Sequence, residues 1–393
     1  MKNFVLFYFS NGSLSKTALF KDIGMVIYYL TKNYNLNSKI VYTSNEVNPK
    51  IKCFRNIKLK SIKFIEKYNF LQKFFLKIDK LFFLKNYPFL NYLIKNAKKI
   101  DNLMLFHLGR DKFLIVFLYK LLNKNGKIYL KMDVGKLNNR RRKRFILKNY
   151  MLDYLCQKID LISCETKGTY NKILQEGLYG NDISNKLIWI PNGFDEEYII
   201  KENINIKKFE EKDNYIISVG RIGTPEKNNE LLLEAALNID LKDWKVLFVG
   251  GYTAEFKDKF TKGIKEYKDK EDKIILVGNI ENKKELYYYY NRAKVFVLTS
   301  LKEGFPLVFP EALRFGNYIL TTDVGGAQEI TNDGKVGKIL KTMLVSEIKD
   351  ELLNIINGNI DLKSNYNKAL KLAKDEFLWC CHMNENKIKN FFN

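Results

Sequence analysis

Two glutamates eight positions apart, Glu303 and Glu311, bracket the run E-G-F-P-L-V-F-P-E within residues 299–313. Carboxylates accept hydrogen bonds from hydroxyl groups, so two of them around one turn can grip two hydroxyl-rich parts of a single ligand. Gly304 between them lets the backbone approach that ligand closely, and the amides at a following helix start favour an anion. Upstream, Arg221 directly follows Gly220, and Lys227 stands six residues further on. Two cations on one loop suit a diphosphate whose charge grows as a bond to it breaks. His107, opening H-L-G-R, and Asp133, closing K-I-Y-L-K-M-D, add a proton carrier and a further carboxylate.

Such side chains need elements that hold them at one edge. The apolar run at 294–298 reads as a buried strand and the residues after Pro306 as a helix, so 299–313 is a strand-to-loop-to-helix turn. A turn of that kind sits at the carboxyl edge of a parallel sheet, where open α/β folds bind their ligands. Arg221 and Lys227 likewise follow a strand at 215–219 and precede a helix at 230–237. Strand and helix alternate from there to about residue 340, a doubly wound βαβ pattern. In the first half, strands are expected at 4–9, 38–42, 103–106, 127–132 and 159–164, with helices at 22–30 and 165–174. The loop after the first strand contains Gly12. A sugar nucleotide, with hydroxyl-rich groups on either side of a diphosphate, fits the carboxylates and cations of the second half.

The motif E-G-F-P-L-V-F-P-E resembles the E-x7-E signature of retaining glycosyltransferases of the GT-B fold, and is most similar to that of family 4 (glycosyl transferases group 1). Four companions occur in the expected order: I-P-N-G-F-D at 190–195, S-V-G-R-I-G-T-P-E-K-N at 218–228, V-G-N-I at 277–280 and D-V-G-G-A-Q-E-I at 323–330. Five matches in register across the second half make chance a poor explanation; the first half resembles the family only in its rhythm of strands and loops. The resemblance implies an α/β chain of two Rossmann-like doubly wound domains facing each other across a cleft. It places an acceptor-binding domain at 1–192, a nucleotide-sugar-binding domain at 193–374, and a terminal helix at 375–393 crossing back to the first domain. It gives Arg221 and Lys227 the donor diphosphate, Glu303 the donor-sugar hydroxyls and Glu311 the ribose. Gly220, Gly304, Phe305, Pro306 and Leu307 would make backbone contacts, Asn279 and Ile280 would pack the base, Gly12 would face the diphosphate and His107 would reach the donor sugar. Asp133 is the acceptor-site candidate. The resemblance further implies retention by front-face displacement, without an enzymatic nucleophile.

Composition narrows the setting. A chain of 393 residues that is 46% hydrophobic can bury two full cores. Its five cysteines, an odd number without small-domain spacing, suggest reduced thiols in a cytoplasmic protein. Two histidines and the lack of a D-x-D cluster leave little material for a metal, so no metal cofactor is expected. The apolar opening is short and reads as a strand rather than a leader, and no window reaches the length of a membrane span. Residues 1–200 carry 36 Lys and Arg against 15 Asp and Glu, whereas 201–393 carry 31 against 29. A basic field confined to one half points to an anionic partner.

Residues 58–99 alternate Phe, Leu and Ile with Lys at helical spacing, the pattern of amphipathic helices with a basic face, and Pro88 divides them. Lys73, Phe74, Phe75 and Lys77 in this segment, with the run Arg140, Arg141, Arg142, Lys143 and Arg144, are the candidates for an anionic membrane surface. Nothing resembles a nucleic-acid-binding motif, and no nucleic acid is expected. The expectation is therefore a retaining, metal-independent enzyme on the inner face of the cytoplasmic membrane. It would move a hexose or N-acetylhexosamine from a nucleotide sugar, UDP favoured over GDP, to a glycan or lipid-linked acceptor for capsule, lipopolysaccharide or glycolipid assembly. The alternatives are a non-catalytic GT-B module that binds glycan or membrane, and a soluble enzyme with a small acceptor.

Overall fold

Phe4, Val5, Leu6 and Phe7 are all buried in β1 (Asn3–Tyr8), as expected of a central parallel strand covered on both faces. The computed structural model describes residues 1–9, 14–44, 51–63, 86–134 and 146–393. These divide into two units, Met1–Ile190 with His382–Asn393, and Pro191–Cys381.

Among the described residues of the first unit, eight strands form one sheet. With β2 (Asn37–Ser44), β3 (Cys53–Phe54), β4 (Ile57–Lys63), β5 (Asn102–Phe106), β6 (Lys127–Met132), β7 (Leu161–Cys164) and β8 (Leu187–Trp189), the order is β3-β4-β2-β1-β5-β6-β7-β8. All neighbours are parallel except the β3–β4 hairpin. The strand order reverses between β1 and β5, so the switch point of this sheet lies at the loops that follow them.

The second unit holds β9 (Tyr215–Val219), β10 (Lys245–Val249), β11 (Ile274–Gly278), β12 (Val295–Leu298), β13 (Tyr318–Thr322) and β14 (Gly337–Leu340) in the order β11-β10-β9-β12-β13-β14, all parallel. This is the doubly wound dinucleotide-domain order, with its switch point between β9 and β12. Alternate residues of each strand serve two separate cores. Ile216, Val246 and Val295 pack on one face of the sheet, and Ile217, Leu247 and Phe296 on the other.

Two expectations need correction. The 58–99 segment does not start as a helix. Ile57–Lys63 is a strand, in which Ile57 and Leu59 alternate with Lys58 and Lys60. Pro88 stands in the first turn of the helix Tyr87–Asn96, where its missing amide costs no hydrogen bond. The Asp195 carboxylate caps the helix Glu196–Lys201 by accepting from the Tyr198 amide at 3.2 Å. The terminal crossing comes later than 375. The helix Leu362–Glu376 stays in the second unit, and only the helix Asn386–Phe392 joins the first, where Phe392 meets Phe4 and stacks on Tyr34 at 4.8 Å. The aromatic pair Phe391-Phe392 buries there, and Lys2 and Lys127 donate to the last carbonyls of that helix.

Candidate functional site

At the β9/β12 switch point the sequence-predicted charges converge. The loop after β9 carries Arg221 and Lys227, and the loop after β12 carries Glu303. Two hydrogen bonds lash these loops together. The Thr299 hydroxyl donates to the Lys227 carbonyl at 3.1 Å, and the Leu301 amide donates to the Glu226 carbonyl at 2.8 Å. Lys227 Nζ and Glu303 Oε1 consequently form an ion pair whose side chains keep only 15% and 16% of their exposure. Arg221, on the same loop as Lys227, has 72% of its side chain exposed and its guanidinium 2.7 Å from Glu226. The neighbouring strand end must come close for this edge to form. Gly250 has φ of 136°, and a Cβ there would stand 1.9 Å from the Gly220 carbonyl oxygen.

The 304–307 turn is held from three sides. The Asn192 amide donates to the Phe305 carbonyl at 2.7 Å, tying the P-N-G-F-D loop to it. The Phe305 ring is buried against Phe309 and Phe377. Gly326, from the D-V-G-G motif, has φ of 82°, and a Cβ there would stand 2.6 Å from that ring.

Glu311 occupies a different environment, one turn into the helix Val308–Arg314. Lys283 Nζ is 3.5 Å from its Oε1, and the Tyr287 hydroxyl donates to the same oxygen at 3.4 Å. Burial pushes the Glu311 carboxyl above the usual carboxylate value, with Lys283 opposing the shift. Burial and Glu311 together hold the Tyr287 hydroxyl well above the usual tyrosine range. Lys283 and Tyr287 escaped the sequence reading. The signal was available in N-K-K-E-L-Y-Y-Y-Y, where Lys283 and Tyr287 stand four apart on one helix face. Asn279 and Ile280 directly follow β11, Asn279 exposed and Ile280 packed on the core.

The first-unit candidates lie at the edge of the other sheet. His107 ends β5, exposed, with φ of 57° and its amide donating to the Lys131 carbonyl at 2.9 Å. Asp133 is exposed after β6, and the Thr169 hydroxyl holds the next residue by donating to the Val134 carbonyl at 3.1 Å. Beneath them the structure reveals an ion pair that sequence reading missed, Lys131 with Glu165, both side chains fully buried. Burial works against the Lys131 charge, yet Glu165 and Asp22 hold its ammonium above the usual lysine range. Burial raises Glu165 well above the carboxylate range, and among the described residues the second Glu165 oxygen has no hydrogen-bond partner. Gly12, Lys73, Phe74, Phe75, Lys77, Arg140, Arg141, Arg142, Lys143 and Arg144 lie outside the described residues. Among the described residues no group of three His, Cys, Asp or Glu side chains is placed to hold a metal ion.

Comparison with known proteins bears on the same region. Residues 199–372 match the family Glycosyl transferases group 1. That match lies wholly within the second unit and takes in Arg221, Lys227, Glu303 and Glu311. An uncharacterized glycosyltransferase of Methanocaldococcus jannaschii is 26% identical over 251 residues, 62% of this chain and 64% of that protein. The amylovoran biosynthesis glycosyltransferase AmsD of Erwinia amylovora is 30% identical over 163 residues, 41% of this chain and 43% of that protein. The chain thus spans less than two thirds of either relative's length. Among solved structures, HepE of Anabaena in complex with UDP and glucose is 12% identical, with a TM-score of 0.67 over 99% of this chain and 98% of that one. At that identity the likeness speaks for the fold, and the chain has the GT-B fold of two Rossmann-like domains. The family description and the names of these relatives are those of glycosyltransferases.

Proposed function

We propose that this chain is a retaining, metal-independent glycosyltransferase. It moves a hexose or N-acetylhexosamine from a nucleotide diphosphate sugar, UDP-linked rather than GDP-linked, to a glycan or lipid-linked acceptor during assembly of surface polysaccharide or glycolipid. The observation that carries this reading is the Lys227–Glu303 pair, with Arg221 on the same loop as Lys227, at the switch point of a doubly wound sheet. The pair is partly open to solvent, so a ligand can take over its charges.

The donor diphosphate lies against Arg221 and Lys227, the sugar hydroxyls donate to Glu303, and the ribose hydroxyls donate to Glu311 beside the base at Gly278–Ile280. The bond from the anomeric carbon to the diphosphate oxygen breaks, and its electron pair leaves with the diphosphate. The two cations stabilise that growing charge, the role a metal ion would otherwise fill. The acceptor hydroxyl oxygen bonds to the anomeric carbon on the face being vacated, and its proton passes to the departing phosphate oxygen. No side chain becomes covalently attached.

The excess of 36 basic over 15 acidic residues in the first 200 supports attachment to the inner face of an anionic membrane. The UDP-bound HepE and the amylovoran relative support a UDP donor and a polysaccharide product respectively. The test is release of UDP or GDP from a panel of nucleotide sugars, in chelator, by wild type and Glu303→Ala. Release from one donor by wild type alone is expected. No turnover of any donor, even with membrane lipid extract as acceptor, would overturn the reading in favour of a binding module.

A further inference from the structure

Glu311 is the carboxylate of the second unit whose surroundings oppose its charge. Its side chain is only 13% exposed and stands against the ring-bearing face of the helix Lys283–Arg292. In such surroundings a carboxyl group alone would favour its neutral form, which gives up acceptor capacity to carry a proton. A ribose diol offers two hydroxyl donors, and a charged carboxylate accepts both. Something must therefore keep Glu311 charged and aimed.

Lys283 meets that need. Its ammonium is 3.5 Å from Glu311 Oε1 and lies over two aromatic rings, 5.1 Å from the centre of Tyr287 and 5.8 Å from that of Tyr198. Its place in the chain is fixed by the helix start. Asn282 is the cap, its side chain accepting from the Lys284 amide at 2.9 Å, and Lys283 is the first residue of the helix. The next lysine provides an internal contrast, because Lys284 is 54% exposed and reaches outward to Glu202 at 3.9 Å.

We propose that Lys283 is a positioning residue for Glu311, and that the two as a unit set a preference for ribonucleotide over 2′-deoxyribonucleotide donors. This rests on the reading that Glu311 faces the ribose. Lys283 holds the carboxylate where it accepts from both ribose hydroxyls. Without the ammonium, Glu311 has one good acceptor oxygen left, and the 2′-hydroxyl loses its partner.

The experiment is equilibrium titration of the full chain with UDP and with 2′-deoxy-UDP, for wild type, Lys283→Met, Lys283→Arg, Lys284→Met and Glu311→Gln. Wild type should prefer UDP by about tenfold, the loss expected when one hydrogen bond to a charged group goes. Lys283→Met should weaken UDP by about the same factor while leaving 2′-deoxy-UDP nearly unchanged, so that the preference collapses as it does in Glu311→Gln. Lys283→Arg should restore most of it, and Lys284→Met should match wild type. Equal weakening of both nucleotides in Lys283→Met, or an undiminished preference, would overturn the proposal while leaving the nucleotide site standing. Failure of wild type to bind UDP or GDP at all would bring down the donor-site reading and this proposal with it.

Discussion

Each sheet carries a lysine–glutamate pair at its carboxyl edge, and the two pairs differ in one respect. Lys131 and Glu165 are sealed from solvent, whereas Lys227 and Glu303 retain about a sixth of their exposure. A sealed pair cannot exchange its partner for a ligand. Each of its charges depends on the other, and removing one strands the other in a low-dielectric interior. An open pair can release its lysine to an incoming phosphate and its glutamate to sugar hydroxyls. On the proposed reading, the same pair chemistry at the carboxyl edges of the two sheets serves architecture in the first unit and ligand exchange in the second.

The largest expected effect breaks the sealed pair. Lys131→Met should destabilise the protein by about 3–5 kcal/mol in chemical denaturation, and the double change with Glu165→Leu should recover most of that loss. A single change that costs nothing would show that the pair is not a structural unit. Next, Lys227→Ala should leave the denaturation midpoint nearly unchanged while lowering donor turnover by about 10²–10³-fold, the scale of losing one preorganised charge-stabilising group. Arg221, more exposed still, should follow the same division more mildly. Arg221→Ala should leave the melting temperature where it is and reduce turnover about tenfold, consistent with one charge-assisted contact.

The smallest effect concerns pH. Glu311 has its carboxyl raised above 4.5 by burial, against the opposing influence of Lys283, Tyr287 and Tyr290. Donor binding needs the ionised form, so affinity should rise with pH through that raised value and fall below it. Folding runs the other way. The native state binds the proton more tightly than the unfolded chain, so stability should decline slightly as pH rises from 4.5 through the raised value. Glu311→Gln should remove both slopes; slopes unchanged in that variant would assign the titration to another group.

The open pair was legible in the sequence and the sealed pair was not, for a physical reason. Glu303 stands in a loop between a V-F-V-L strand and an apolar helix, where a charge has no packing role, and its spacing from Glu311 gives it a partner in sequence. Lys131 and Glu165 are thirty-four residues apart in ordinary strand-end contexts, and only strand pairing of Lys131 with Ser163, beside Glu165, brings them together. Lys283 was hidden similarly. One lysine of a K-K pair turns inward and the other outward, a choice made by the helix's packing against Glu311. In the 58–99 segment, the alternating Lys58 and Lys60 of β4 were submerged in the helical spacing that follows. A seven-residue strand with lysines toward solvent has too few residues to set its own period against a long amphipathic neighbour. Strands buried on both faces, such as β1, β5 and β12, were the easiest to place, because continuous apolar runs bounded by polar turns have one reading in a doubly wound fold.

Backbone hydrogen–deuterium exchange of the full chain, with and without saturating UDP, tests the central claim most directly, because it asks which of the two sheet edges meets the nucleotide. Protection is expected over 220–227, 278–283 and 303–311, with the strand ends around Lys131 and Glu165 unchanged. Protection confined to the first unit, or none in those three segments at saturation, would contradict the assignment of the donor site to the open pair.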